Sequence, residues 1–131
     1  MRPGTILVVD DEASVRRTTR RALEYCGYTV LEAGDGIEGL ELYHKERDRI
    51  SLVVLDVVMP EMSGWEVLAE LKTAEPSMPV VLISGYAWTG QTPAHNAVRA
   101  DAFIRKPFEL AELADTVRRL LADTPDAEPT P

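Results

Sequence analysis

The sequence predicts an α/β domain, a doubly wound parallel sheet of five strands accompanied by five helices. Three observations predict it. Short apolar runs rich in branched residues recur along the chain, as strands buried on both faces of a parallel sheet do. Segments with helical spacing of apolar residues lie between them. Strand and helix patterns alternate five times, and right-handed crossovers then place helices on both faces of one sheet.

The elements follow in order. Ile6–Val9 (ILVV) is the first strand. Ser14–Cys26 sets Val15, Ala22, Leu23 and Cys26 at helical spacing, with Gly27 as a stop signal. Tyr28–Ala33 is a weaker strand. Asp35 to Arg47 puts Ile37, Leu40 and Tyr43 on one helical face. Leu52–Leu55 (LVVL) is the third strand. Ser63 can cap a helix over Gly64–Ala74, in which Trp65, Leu68, Ala69 and Leu71 are apolar. Val80–Ile83 (VVLI) is the fourth strand. Gln91–Arg99 is the poorest helical segment, because Gly90 and Pro93 interrupt it, and a short helix is expected there. Ala102–Ile104 is a weak strand, and Leu110–Ala122 places Leu110, Leu113, Val117, Leu120 and Leu121 at helical spacing. Residues 123–131 (DTPDAEPTP) are acidic and Pro-rich and read as a disordered tail or the start of a linker, which leaves residues 1–122 as the domain.

A length of 131 residues suits a single domain. Fourteen basic and 22 acidic residues give a net charge of −8. The tail holds three of those acids and no base. Such a balance disfavours nucleic acid as a direct partner, since phosphates demand a basic face. The longest purely apolar runs have four residues, so no membrane span is expected. The start, MRPGT, leads straight into a strand-like run and does not read as a signal peptide. Cys26 is the only cysteine. A disulfide framework and a cysteine zinc site are thereby excluded, and a cytoplasmic location is expected.

Each strong strand is followed at once by a polar residue. ILVV is followed by Asp10 and Asp11, LVVL by Asp56, VVLI by Ser84, and the weak strand Ala102–Ile104 by Arg105, Lys106 and Pro107. In an open parallel sheet the functional crevice lies beyond the carboxyl ends of the strands. Three carboxylates gathered there repel one another, and a hard divalent cation such as Mg²⁺, with its oxygen ligands, relieves that repulsion. Lys106 adds a mobile charge and Ser84 a hydroxyl, both suited to phosphoryl oxygens. The combination points to phosphoryl transfer, in which a carboxylate can itself be the nucleophile.

Over residues 4–122 the chain resembles the receiver domain of two-component response regulators. The matching pieces are ILVVDDE, LVVLDVVMPEMSG, VVLISGY and FIRKPF, with Asp56 followed by Met59-Pro60 and Gly64. The resemblance implies a flavodoxin-like sheet of strand order 2-1-3-4-5. It implies Asp56 as phosphoacceptor, Asp10 and Asp11 as the acidic pair that binds Mg²⁺, and the Val58 carbonyl as a further metal ligand. It also implies Ser84 as the switch hydroxyl, Lys106 as the partner of the phosphoryl group, a cis Lys106–Pro107 bond, and Phe103 as the switch aromatic, here without a hydroxyl. A histidine kinase or phosphotransfer protein would donate the phosphoryl group, and the Ser84–Ala122 face would signal to a downstream protein. Receivers of this kind often pair into homodimers through their last two helices and the strand between. The chain departs from the family in having Arg99-Ala100 where Gly-Ala is common. Val58 and Tyr86, bulky and not acidic, flank the implied phosphoryl pocket and are expected to shield it from water.

Other signals compete. Gly34–Gly39 matches GxGxxG, but Asp35 and Glu38 put negative charge where a pyrophosphate would sit, and the plainer reading is a βα turn. Arg16, Arg17, Arg20 and Arg21 form a stripe on the first helix, read either as a solvated face or as a docking surface for the phosphodonor. His44 and His95 read as surface residues, Cys26 and Trp65 as packing, and Trp88 as packing or as an exposed anchor for a partner. The expected activity is that of a phosphoacceptor that assists its own phosphorylation, not of a conventional enzyme. An aspartyl-nucleophile hydrolase of the haloacid dehalogenase kind would need an acid at Val58. The alternative is a receiver-like interaction module independent of phosphorylation. No output domain is expected in this chain, which either acts alone or continues past the tail.

Overall fold

The computed structural model describes residues 4–59, 62–84 and 100–123. Its elements run β1 (Thr5–Val9), α1 (Ala13–Tyr25), β2 (Thr29–Ala33), α2 (Gly36–Glu46), β3 (Ile50–Asp56), α3 (Gly64–Ala74), β4 (Val80–Ser84), β5 (Ala102–Arg105) and α4 (Leu110–Asp123). The five strands are all parallel, in the order β2-β1-β3-β4-β5. The doubly wound fold and its strand order are as the sequence leads one to expect. Four helices stand among the described residues, and the short helix expected over Gln91–Arg99 falls outside them. The switch in winding direction lies between β1 and β3, which is where such sheets open a crevice.

The unbroken apolar strands have a direct cause, because successive side chains enter opposite halves of the core. Leu7, Val9, Val53, Leu55 and Leu82 meet Tyr43, Val67, Leu68 and Leu71 from α2 and α3. Ile6, Val8, Leu52, Val54, Ile83 and Ile104 meet Leu23, Leu113 and Val117 from α1 and α4. Neither face reaches water, so no polar alternation is possible.

The helices begin and end where the sequence marks them. Ser63 accepts from the Glu66 N–H while the Glu66 carboxylate accepts from the Ser63 N–H, a complete capping box. Asp35 caps α2 by accepting from the Glu38 N–H at 2.8 Å. Gly27 takes φ 101° just past α1, a backbone that side chains rarely tolerate.

Three apolar positions differ from the sequence reading. Cys26 is exposed, because it caps α1 as the chain turns at Gly27, and Thr19 and Leu23 form the buried stripe instead. Ile37 is 48% exposed and Leu110 41%. In α2 the buried positions are Gly36, Gly39 and Tyr43, since the missing side chains let Gly36 lie against Met62 and Val67 and Gly39 against β1. A Cβ on Gly39 would come within 2.9 Å of Val9. The GxGxxG match is therefore a packing feature of a βα turn. His44 lies on the surface as expected, and Trp65 packs against the core. His95, Trp88, Tyr86 and the tail beyond residue 123 lie outside the described residues. None of the described helices is long and apolar enough to cross a membrane.

Candidate functional site

Strand register alone lines up the polar residues. Val9 pairs with Leu55, so Asp10 and Asp56 end neighbouring strands side by side. Asp56 pairs with Ile83, one residue before Ser84, and Ser84 pairs with Arg105, one residue before Lys106. Four residues scattered over the sequence thus form a row along one sheet edge. Asp10, Asp56 and Ser84 are buried, each at most 4% exposed, whereas Asp11 is exposed.

One carboxylate oxygen from each of Asp10, Asp11 and Asp56 lies within 4.8 Å of the others. The Lys106 ammonium sits 3.6 Å from Asp10 Oδ2, 3.6 Å from Asp56 Oδ2 and 3.5 Å from Glu12 Oε1. Its backbone N–H donates to the Ser84 carbonyl at 2.7 Å, and the Lys106–Pro107 bond is cis. The Val58 N–H bonds the Asp56 carboxylate, and the Val58 side chain is 49% exposed at the rim. Phe103 is half-buried against the α2–α3 side of the core.

The electrostatics are those of a site short of positive charge. Burial, and then the nearby Asp10, push the Asp56 carboxyl up to about 6. Burial likewise raises Asp10, against the opposing pull of the Glu12 N–H and of Lys106. Burial acts to lower Lys106, but Asp10, Asp56 and Glu12 outweigh it and hold the ammonium above its usual value. Lys106 thus faces several acids at once and cannot neutralise them all. An all-oxygen donor set of this kind fits a hard divalent cation, which would add two positive charges between the carboxylates.

Two further residues reach the site, neither of which the sequence assigns to it. Glu12 follows the acidic pair directly and reaches Lys106. Arg16 donates to the Asp10 carbonyl at 2.7 Å and to Glu32 at 2.9 Å. The arginine stripe therefore divides. Arg16 and Arg20 are committed to Glu32, whereas Arg17 and Arg21 are exposed and have no ion-pair partner among the described residues. Beside them an open cleft of about 660 Å³ runs between α1 and α4, lined by Val15, Thr18, Thr19, Lys106, Phe108 and Leu110. It continues past Thr18 and Leu110 into a second hollow of about 500 Å³ beside Arg21 and Tyr25.

Known proteins resemble this chain in sequence and in fold. A family model described as the response regulator receiver domain matches residues 6–118. The chain is 42% identical over 118 residues to the sensor kinase CckA of Brucella abortus, covering 90% of this chain and 12% of that protein. It is 39% identical over 119 residues to the response regulator MprA of Mycobacterium leprae, covering 91% of this chain and 51% of that protein. Among solved structures it superposes on the response regulator TrrA of Thermotoga maritima, in complex with Mg²⁺-BeF, with a TM-score of 0.80 and 30% identity. That match covers 89% of this chain and 98% of TrrA. The chain thus spans about half of MprA and about an eighth of CckA.

Proposed function

This chain belongs to the response regulator receiver domain family, and we propose that it accepts a phosphoryl group on Asp56 from a phosphohistidine of a histidine kinase or phosphotransfer protein. The observation that carries this reading is the meeting of Asp10, Asp11, Asp56 and Lys106 at one sheet edge, with Asp56 buried beside Asp10. At pH 7 the Asp56 carboxyl, at about 6, is largely ionised and able to attack phosphorus. A carboxylate oxygen forms the new P–O bond while the P–N bond of the donor breaks, and its electron pair stays on the imidazole. Later attack by water returns Asp56 and inorganic phosphate, so the chain is a phosphoacceptor and not a conventional enzyme.

Asp10, Asp11, Asp56 and the Val58 carbonyl would hold Mg²⁺, which when bound supplies charge neutralisation between the carboxylates and the phosphoryl oxygens. Lys106 pairs with the phosphoryl group, and Ser84 donates its hydroxyl to it. The added charge and acceptor oxygens draw Ser84 and Lys106 together, Phe103 turns inward, and the Ser84–Ala122 face changes for a downstream protein. A lone cysteine suits a reducing compartment, and we place this step in the cytoplasm.

The test is incubation with a small phosphodonor and Mg²⁺, read by intact mass. One added phosphoryl group is expected, absent after chelation and absent in Asp56→Asn. No modification of the folded parent would favour the phosphorylation-independent module instead.

The donor is proposed to dock on α1 beside the α1–α4 cleft. Reversing Arg17 and Arg21 to glutamate is expected to slow phosphotransfer from a cognate phosphohistidine protein about tenfold or more, by lost steering. Modification by the small donor should be unchanged. An unaltered transfer rate would rule this docking face out.

A further inference from the structure

Asp10 is fixed through three of its polar groups. Its N–H donates to the Ala33 carbonyl at 3.1 Å. Its Oδ1 accepts from the Glu12 N–H at 2.9 Å. Its carbonyl accepts from Arg16 Nη1 at 2.7 Å. The remaining carboxylate oxygen, Oδ2, faces Lys106 at 3.6 Å. Of the three hydrogen bonds only the third comes from a side chain. That side chain is itself anchored, because Arg16 Nε bonds Glu32 Oε1 at 2.9 Å while Arg20 holds Glu32 Oε2 at 2.5 Å. Arg16 and Glu32 are both largely shielded, at 21% and 24% side-chain exposure. A strut thus runs from Arg20 on α1 through Glu32 on the edge strand β2 to Arg16 and the turn after β1.

We propose that Arg16 is a positioning residue for the divalent cation, holding the Asp10 backbone so that Asp10 presents its carboxylate at one fixed place, with Glu32 as the anchor. The inference deepens the metal-binding part of the proposed function and rests on it. Mg²⁺ demands near-octahedral geometry, so a ligand shifted by tenths of an ångström binds it less well. Residues that orient metal ligands from outside typically account for about tenfold to a hundredfold in affinity. Spanning the Asp10 carbonyl and Glu32 together takes two donors in a fixed fork, which a guanidinium supplies and a lysine does not.

The sign of the effect separates positioning from plain electrostatics. Arg16 is a cation near a cation site, so deleting its charge alone would tighten Mg²⁺ binding. Positioning requires the opposite. The experiment is calorimetric titration with MgCl₂ of the folded parent and of Arg16→Met, Arg16→Lys, Glu32→Gln, Arg20→Met and Asp10→Asn, with folding followed by circular dichroism. Arg16→Met should bind Mg²⁺ about tenfold more weakly. Arg16→Lys should recover only part of the loss. Glu32→Gln should also weaken binding, and Arg16→Lys, whose kept charge would leave binding unchanged on electrostatics alone, carries the test should Arg16→Met fail to fold. Arg20→Met, which breaks only the outer half of the strut, should stay within about twofold of the parent. Binding by Arg16→Met as tight as or tighter than the parent overturns the proposal, as does unchanged binding by Arg16→Lys where Arg16→Met does not fold. A parent that binds no Mg²⁺ overturns the metal reading itself, and this inference with it. A parent that binds, and loses binding in Asp10→Asn, leaves that reading standing whatever Arg16 does.

Discussion

Asp56→Asn is expected to melt at a higher temperature than the parent at pH 7 without Mg²⁺. Asp56 is 4% exposed, and its carboxyl is pushed up to about 6, by burial first and then by Asp10. In the unfolded chain it should titrate near about 3.9. Between those values the folded protein binds more protons than the unfolded chain. By linkage, the stability associated with this group falls as pH rises from about 4 to about 6, and the deficit is fully present at pH 7. The whole shift corresponds to at most about 3 kcal/mol. Lys106 loses one of its acids in the variant, which offsets part of the gain. The net gain should be about 1–2 kcal/mol, or several degrees in melting temperature. Thermal scans with chelator should show the gap between variant and parent closing as pH falls toward 4. Adding Mg²⁺ should raise the parent more than the variant by mass action. An Asn variant that melts below the parent at pH 7 would show that the carboxylates are not held at a cost.

Gly64→Ala is expected to destabilise the protein by about 3 kcal/mol or more, at the upper end for overpacking. A Cβ on Gly64 would lie 2.4 Å from the Asp56 carbonyl oxygen and 2.7 Å from Val57 Cα. Both are backbone atoms of the strand end that presents Asp56, so nothing nearby can swing away. The Gly64 N–H also donates to the Val57 carbonyl at 2.8 Å, which fixes the start of α3 against β3. The methyl group must therefore push α3 outward or move Asp56 itself. Denaturant unfolding should show the loss of stability, and the fraction still folded should bind Mg²⁺ more weakly. Gly34→Ala is the control. Its nearest neighbours would be the side-chain ends of Glu38 and Arg16 at 3.4 and 3.6 Å, which is ordinary contact. It should stay within about 0.5 kcal/mol of the parent, as surface substitutions usually do. A Gly64→Ala protein as stable as the control would mean that the strand end yields where the backbone contacts say it cannot.

The inner strands were legible because a doubly covered sheet forces both of their faces to be apolar, as Val8 and Val9 on opposite core halves illustrate. The caps were legible because Asp35 and Ser63 act within a few residues of their own position. Helix faces were less so. Ile37 sits on the apolar side of a helical wheel, yet α2 turns Gly36 toward Met62 and Val67 and Gly39 toward Val9, since close approach matters more than side-chain hydropathy there. Cys26 ended exposed because the turn at Gly27 takes it off the buried stripe of α1. The arginines of α1 looked alike at helical spacing, but Glu32, twelve or more residues away on β2, claims only Arg16 and Arg20.

The sequence by itself determined the alternation of elements, the residues at each strand end and the chemistry those residues can support. These depend on hydropathy period and local capping, which act over a few residues. Only the tertiary structure decided that Lys106 stands between Asp10, Asp56 and Glu12, that Gly64 lies against the Asp56 backbone, and that Arg16 grips the Asp10 carbonyl. Those are contacts across strand order and register, and no local pattern encodes how far apart in space two distant strand ends will fall.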